Sequence, residues 1–308
     1  MDRNLIVAIV KALLNIGVVL LVAPFCQGVL RKVTARIQSR QGPPIWQPYY
    51  DLLKLLGKED IESGETPAMQ RFAAYLSLAV MLAVACLVPM GYGAPLNQAA
   101  DVILLIYLLT LCSVCTLLAG LAAGSTYSLL GVSREMMSMI ALEPLFAIAI
   151  VAGAIHTQSF NLNAVLSGSP YATAAIPWSG VILAIVMLFS MQAFVQRVPF
   201  DTSEAETEIM EGSLMEYSGP KLALFKYTQM AKLVVYSALF ISLFAPWGSH
   251  LPHAIAWMLF WTKVFALVLL VTVVAATHAR YRIDQAIRYF GTLLGISIVA
   301  LILASFGY

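Results

Sequence analysis

Charged side chains are scarce in this sequence of 308 residues, of which lysine, arginine, aspartate and glutamate make up only 11%. Soluble domains carry roughly 25% charged residues, so this composition excludes a water-soluble protein. The formal net charge of +2 is too small to indicate a nucleic-acid partner. The polar stretches are too short for a separate soluble domain. We therefore expect a single transmembrane domain spanning residues 1–308.

Cysteine is also sparse, and its four copies all fall inside apolar runs. Cys112 and Cys115 have a spacing that occurs in redox and metal motifs, but a second ligand pair is missing from the sequence. Small thiols within apolar helices are typical packing residues. The sequence therefore predicts that this chain itself holds no metal, haem or iron–sulfur cluster.

Hydrophobic residues are abundant, at 60% of the chain, and the mean hydropathy is +0.85. A helix needs roughly 20 apolar residues to cross a bilayer, and about eight runs of this length occur. The sequence therefore predicts an all-α, polytopic membrane protein. The predicted spans are Leu5–Val29, Phe72–Met90, Ala99–Ala123, Met136–Ile155, Pro177–Gln196, Lys221–Ala245, His253–Thr277 and Ile287–Ser305.

The loops between these spans alternate in their content of lysine and arginine. The first, third, fifth and seventh loops carry basic residues, whereas the second, fourth and sixth have none. Basic loops face the cytoplasm, so both termini are predicted to lie outside a cytoplasmic (inner) membrane. The charged inner face is the expected docking surface for partner subunits, with Lys54, Arg280 and Arg282 among its residues.

The first cytoplasmic loop, residues 30–71, is long and contains an amphipathic segment. Apolar residues recur at helical spacing from Ile45 to Leu56, beside Asp51 and Lys54. This pattern is typical of a helix that lies at the membrane surface or against a soluble subunit.

Half of the sixteen acidic residues lie between Glu135 and Glu216, a stretch that includes a further cytoplasmic loop at residues 197–220. If residues 201–211 were helical, four carboxylates would share one face and Glu206 would point away. Such carboxylates would repel one another and share protons. A solvated loop face is the alternative. The cluster comprises Glu135, Glu143, Asp201, Glu204, Glu206, Glu208, Glu211 and Glu216.

Ionisable residues inside or beside the apolar runs are further candidates for an ion path, together with Asp201 of the acidic loop. They are Glu135, Glu143, Lys232 and Lys263. Glu143 lies within the fourth run, where an ionised carboxylate costs several kcal/mol unless it is paired. Lys232 and Lys263 lie deep in later runs, and each could face Glu143 or a water-filled cavity. A neutral structural acid is the alternative for Glu143. Glu135 follows Arg134 at the predicted helix entrance, where an exposed ion pair is the ordinary explanation.

Two long motifs resemble those of a known family. The segment Arg197-Val198-Pro199-Phe200-Asp201-Thr202-Ser203-Glu204-Ala205-Glu206 is similar to the signature loop of the complex I membrane subunit of the chain 1 type, also named the H subunit. Arg40-Gln41-Gly42-Pro43-Pro44 in the first loop is similar to its second signature. The resemblance covers nearly the whole chain. It implies a membrane subunit of a multi-subunit redox complex.

Within this family, two features favour the membrane subunit of group 4 energy-converting [NiFe] hydrogenases, which include formate hydrogenlyase. The segments Gly131-Val132-Ser133-Arg134-Glu135 and Glu143-Pro144 resemble the hydrogenase-type pattern. The segment Arg280-Tyr281-Arg282-Ile283-Asp284-Gln285 lacks the Trp-Lys that normally follows in complex I.

The resemblance implies roles for individual residues. Glu143, Glu204, Glu206, Glu208, Glu211 and Glu216 match acidic positions of the family's proton or ion path, and Arg36, Arg40, Asp51, Arg197 and Asp201 match its interface with soluble subunits. The implied partners are hydrogenase-like large and small subunits and iron–sulfur subunits on the cytoplasmic face, an antiporter-like membrane subunit, and membrane lipid. The [NiFe] centre and iron–sulfur clusters would lie in those partners.

Three other functions stay open on the sequence. The chain could be a genuine complex I subunit that forms part of a quinone chamber. It could be a passive membrane anchor with a structural acidic loop. It could also be a secondary transporter, although the repeated broken helices typical of that class are missing from the sequence.

Overall fold

The computed structural model describes residues 3–61, 66–91, 94–96, 100–166, 177–203, 205–248 and 251–307, with the backbone alone for residues 3–6, 206 and 207. These ranges form helices and connecting loops without a β-sheet. The helices are α1 (Arg3–Ile37), α2 (Gln47–Leu56), α3 (Pro67–Leu87), α4 (Val102–Ala123), α5 (Thr126–Thr157), α6 (Leu162–Leu166), α7 (Trp178–Phe194), α8 (Glu206–Ile209), α9 (Gly219–Phe244), α10 (His253–Thr277) and α11 (Ile283–Ser305), with a 3-10 turn at Gly212–Leu214.

Seven of these helices are long and apolar enough to cross a membrane: α1, α3, α4, α5, α9, α10 and α11. The eighth predicted span is α7, which has 17 residues and is therefore about 26 Å long, slightly less than a bilayer core. The all-α membrane architecture is confirmed. The predicted surface helix is also present as α2, which begins just after Trp46 with Pro48 in its first turn.

The predicted helix boundaries were wrong at the start of α5. The sequence indicated a loop up to Arg134, but α4 ends at Gly124, whose φ of +70° lies in the left-handed region that favours glycine. Ser125 then caps α5 by accepting a hydrogen bond from the Ser128 amide at 3.2 Å. Consequently Arg134 and Glu135 lie well inside α5 rather than at its entrance.

Helix α9 forms the centre of the bundle and is the most completely buried of the long helices. It packs against α1, α2, α3, α7 and α10, while α5 packs between α4 and α11. Large apolar side chains such as Leu233, Met187 and Leu145 fill the space between these helices. A rigid central helix of this kind holds its polar side chains in fixed positions against α5 and α7.

The basic loops meet at one end of the bundle, called here the basic end. Arg31 of α1 contacts Asp51 of α2 at 2.7 Å, and the buried Lys221 of α9 contacts Asp60 at 3.2 Å. The opposite end of the bundle contains the start of α1 and the ends of α9 and α11. Residues 167–176 of the predicted fourth loop, and residues 62–65 of the first loop, lie outside the described residues.

Candidate functional site: a buried acidic cavity beside a charged groove

Glu135 is buried in the interior of the bundle, with a relative exposure of 5%. Its Oε1 accepts a hydrogen bond of 2.5 Å from Nε2 of Gln196, which follows the end of α7. The expected exposed ion pair with Arg134 does not form, because α5 starts earlier than predicted and turns the two side chains in different directions. Arg134 instead contacts Glu208 at 2.6 Å.

Lys232 of α9 lies on the other side of Gln196 and is also buried, at 3% exposure. Its Nζ donates to Oε1 of Gln196 at 3.4 Å. One carboxamide therefore bridges a carboxylate and an ammonium group, with its nitrogen toward the anion and its oxygen toward the cation. Because a buried polar group without a hydrogen-bond partner is costly, this bridge stabilises both side chains in the interior.

A cavity of about 50 Å³ lies beside this bridge, lined by Glu135, Gln196, Lys232, Glu143 and Tyr236 among others. One water molecule needs about 10–15 Å³ of such space, so the cavity has room for a few. Oε1 of Glu143 is buried and has no hydrogen-bond partner among the described residues. Water in the cavity would supply that partner and link Glu143 to its neighbours. Glu143 and Lys232 therefore line one cavity; the sequence had left open whether Lys232 faces Glu143 or a water-filled cavity.

The aromatic wall of this cavity comes from three helices. Tyr236 stacks on Phe194 with ring centroids 5.5 Å apart and an interplanar angle of 15°. Phe146 packs edge-on against Phe194 and against Tyr236. Apolar walls lower the local dielectric, which strengthens every interaction among the charged groups inside.

The acidic loop after α7 does not form the continuous helix that would align its carboxylates. Helix α8 covers only Glu206–Ile209, and Met210 and Glu211 then adopt left-handed φ angles of +50° and +69°. Three acids of the cluster each contact a separate basic residue. Asp201 contacts Arg280 at 2.9 Å, Glu208 contacts Arg134, and Glu211 contacts Lys226 at 3.6 Å. The predicted stripe of adjacent carboxylates is therefore wrong.

Glu208 shows how these contacts change acidity. The hydrogen bond from Arg134 lowers the pKa of Glu208, and the positive charges of Arg134, Arg280 and Arg282 act in the same direction. Glu204 lies outside the described residues, as does the side chain of Glu206. Glu216 is partly buried just before Tyr217. The ion-path role of these residues stays a prediction.

A larger groove of about 600 Å³ opens at the basic end. Its walls include Arg40, Arg197 and Asp201, three of the residues predicted to contact soluble partners. Arg197 also donates a hydrogen bond to Gln27 of α1. Arg36, Lys54 and Arg282 are exposed at the same end. The structure thus brings the predicted interface residues together on one surface.

The Asp51 carboxylate accepts hydrogen bonds from Arg31 of α1 and Gln47 of α2. Burial disfavours its charge, but hydrogen bonds from Arg31 and Gln47 outweigh this effect, and the pKa of Asp51 is lowered. Gln47 Nε2 lies 3.0 Å from the Asp51 carboxylate. Asp51 therefore fastens α2 to α1.

Lys263 does not face Glu143, and that sequence alternative is wrong. Its Nζ donates to the carbonyl oxygens of Ala245 at 2.8 Å and of Trp247, beyond the end of α9 that lies away from the basic end. There it lines a separate cavity of about 480 Å³, which Lys11 also lines. This second alternative for Lys263, a position facing a cavity, agrees with the structure.

Sequence reasoning missed Gln196 and Tyr236 because both are uncharged and occupy ordinary positions in their apolar runs. The only signal for Gln196 was its place directly before the Arg197 motif. Within the described part of the chain, no group of three or more histidine, cysteine or acidic side chains is arranged to hold a metal ion. All four cysteines are free and buried.

Comparisons with known proteins match the chain over almost its full length. Hydrogenase-4 component C of Escherichia coli is 32% identical over 306 residues, covering 95% of this chain and 94% of that protein. Formate hydrogenlyase subunit 4 of the same organism is 28% identical, with 96% and 98% covered. The H subunit of the NADH-quinone oxidoreductase of Dehalococcoides mccartyi is 31% identical, with 90% and 80% covered.

A solved structure has the same fold. A chain of the membrane-bound sulfane sulfur reductase, an archaeal respiratory membrane complex, superposes with a TM-score of 0.87 at 27% identity, covering 97% of this chain and 99% of that one. The family model described as NADH dehydrogenase matches residues 10–305. The resemblance indicated by the two motifs is thereby confirmed, and this chain is a member of the NADH dehydrogenase family.

Proposed function

We propose that this chain is the membrane-anchoring and ion-coupling subunit of a multi-subunit redox complex of the energy-converting [NiFe] hydrogenase type. It links electron transfer in soluble partners to the movement of protons or sodium ions. The observation that carries this proposal is the cavity inside the bundle that Glu135, Glu143 and Lys232 all line. Ionisable residues inside a membrane bundle are expensive, and they typically mark an ion pathway.

The position of the cavity suits a coupling role. It lies next to the groove of the basic end, where Arg40, Arg197 and Asp201 form a charged surface for soluble subunits. A change of charge or position in a docked subunit would reach the cavity over a short distance. The proposed partners at this surface are hydrogenase-like large and small subunits and iron–sulfur subunits, which would contain the [NiFe] centre and the clusters. An antiporter-like membrane subunit and lipid would contact the apolar flanks.

The hydrogenase branch is favoured by similarity to hydrogenase-4 component C and formate hydrogenlyase subunit 4. A second candidate is the quinone-reducing branch, because the H subunit of an NADH-quinone oxidoreductase is similarly related and the groove of about 600 Å³ has room for a quinone ring. Nickel in the purified complex supports the first branch. Quinone reduction without nickel supports the second.

The test of ion coupling is the substitution Glu143→Gln, which keeps the size of the side chain but removes its titratable group. Ion translocation is measured in proteoliposomes beside the redox rate, with subunit composition checked on native gels. We expect fewer ions moved per electron while the complex stays assembled. The matched control is Asp101→Asn, the same change at an exposed position preceding α4. If Glu143→Gln moves as many ions per electron as the unaltered complex, the ion-coupling role of Glu143 is excluded and the passive-anchor alternative is supported.

A further inference from the structure

Gln196 occupies the boundary between two spaces in the protein. Among the described residues, it is the one residue that lines both the cavity and the groove of the basic end. The cavity contains Glu135, Glu143 and Lys232, and the groove contains Arg197 and other charged residues. Any water-mediated route between groove and cavity at this point must therefore pass the Gln196 side chain.

The contacts of the Gln196 amide hold it across this boundary. Its nitrogen donates to Glu135 at 2.5 Å, and its oxygen accepts from Lys232 at 3.4 Å. The two contacts come from α5 and α9, helices that precede and follow α7 in the chain. Hydrogen bonds to charged groups are the strong ones, so the amide is firmly placed. A carboxamide has N–H donors and a carbonyl acceptor but no group that takes up or releases a proton near neutral pH.

We infer that Gln196 is a gate: its amide, held between Glu135 and Lys232, closes the buried cavity to protons from the groove and opens the cavity when it turns away. In the closed arrangement the amide occupies the position that a connecting water would take. In the open arrangement it points into the groove, where there is space for it, and water reaches Glu135. A proton then passes from water in the groove to the Glu135 carboxylate, and the amide itself neither gains nor loses a proton. This inference rests on the proposed function.

The backbone around Gln196 connects the gate to the partner-docking surface. Gln196 has a left-handed φ of +55°, which glutamine rarely adopts, so the surrounding contacts must hold it there. The next residue, Arg197, donates to Gln27 of α1, and Asp201 a few residues later contacts Arg280. A shift of this loop under a docked subunit would therefore move Gln196. Gln196 is thus a positioning residue that acts through Glu135 and Lys232.

Two substitutions at this position have opposite expected effects on access to the cavity. Gln196→Ala removes both the amide and its bulk, so the gate stays open. Gln196→Leu removes the hydrogen bonds but still fills the space, so the gate stays closed. The matched control is Gln192→Ala, one turn earlier on α7, where the buried side chain donates to the Val271 carbonyl at 2.8 Å and lines neither space.

The first readout is access of water to the cavity, measured on the purified complex in lipid nanodiscs. After transfer to D₂O, infrared spectroscopy follows the D₂O-induced shift of the Glu143 carboxyl band at a pH at which that band is present. The band is assigned by its loss in Glu143→Gln. We expect exchange in Gln196→Ala to be faster by about tenfold or more, as for removal of a charge-assisted hydrogen bond that holds the closed state. Gln196→Leu and Gln192→Ala should exchange no faster than the unaltered complex.

The second readout is the number of ions moved per electron in proteoliposomes. It should fall in both Gln196→Ala and Gln196→Leu and stay unchanged in Gln192→Ala. The proposal that Gln196 is a gate is wrong if the unaltered complex translocates ions and Gln196→Ala changes neither the exchange rate nor the number of ions moved per electron. If the unaltered complex moves no ions but Gln196→Ala still exchanges faster, the barrier at Gln196 stands and the proposed coupling function fails.

Discussion

The Arg280 guanidinium donates a hydrogen bond of 2.9 Å to the Asp201 carboxylate, and this pair fastens the loop after α7 to the turn between α10 and α11. Both side chains are largely buried, with exposures of 24% for Arg280 and 19% for Asp201. Close by, the Tyr281 amide donates to the Pro199 carbonyl at 2.9 Å. The loop that carries Gln196 and the groove residues is therefore held at Pro199 and Asp201 against the turn between α10 and α11.

This relationship predicts the effect of Asp201→Asn. The substitution removes the negative charge that Arg280 contacts at this position, and we expect a loss of about 1.5–3 kcal/mol in the free energy of unfolding, as for a hydrogen bond to a charged group. Thermal unfolding of the purified complex measures it. The exchange Asp201→Arg with Arg280→Asp should recover part of the loss. If the double variant is no more stable than Asp201→Asn, the pair does not stabilise the loop.

The ion pair between Glu208 and Arg134 predicts a dependence on pH. Arg134 lowers the pKa of Glu208 below the ordinary glutamate value of about 4.3. The contact therefore contributes fully above the ordinary value and is lost as the pH falls through the lowered one. Glu208→Gln should remove this part of the acid destabilisation, measured by thermal unfolding from about pH 6 down to about pH 3, a range that spans the ordinary glutamate pKa. Because Glu208 is half exposed, we expect a small effect. An unchanged pH profile would contradict it.

The exposed basic residues of the first loop predict a docking phenotype. Asp51 is unsuitable for this test because it already fastens α2 to Arg31. Arg40→Glu with Lys54→Glu reverses two exposed charges instead, and we expect soluble subunits to be lost on purification while the membrane subunits remain. Mass spectrometry of the purified complex measures this.

The control for docking introduces two carboxylates at exposed positions away from the basic end, His253→Glu with Asn163→Glu. It should retain every soluble subunit. Full retention in the Arg40 and Lys54 variant as well would exclude this surface as the docking site.

The division of basic residues between loops predicts the membrane orientation. A cysteine placed at the exposed Leu251 should react with a membrane-impermeant thiol reagent from the outside, and one at the exposed Arg282 from the cytoplasm. Labelling of intact cells and inverted vesicles separates the two. The native cysteines are buried and serve as the unreactive background. The reverse pattern would show that the orientation is inverted.

Two glycines of α1 provide a matched test of how α2 is held. A Cβ atom on Gly28 would lie 1.9 Å from the Ile45 carbonyl oxygen, which belongs to the approach to α2. Gly28→Ala must displace this backbone, and we expect a loss of about 1–3 kcal/mol in the free energy of unfolding. A Cβ atom on Gly17 would meet nothing within 4 Å, so Gly17→Ala should be neutral or slightly stabilising. Equal thermal stability of the two variants would contradict the close packing at Gly28.

The sequence by itself determined the membrane architecture, because the runs of about 20 apolar residues can be satisfied only by spanning helices. It also marked Glu143 and Lys232 as functional candidates, since a charge inside an apolar run is costly wherever the helices pack. The two motifs around Arg40 and Arg197 identified the family. These conclusions depend on local composition and on residues that are neighbours in sequence.

Only the tertiary structure decided which side chains meet. Gln196 is 61 residues from Glu135 and 36 from Lys232, and helical periodicity indicates which face a residue occupies but not which helix lies opposite. The same limit applies to Lys263, whose depth in its run was visible but whose carbonyl partners beyond the end of α9 were not. The stripe of carboxylates failed because left-handed residues end α8 and separate arginine and lysine side chains attract the acids. Long-range charge pairing outweighed the local helical pattern there.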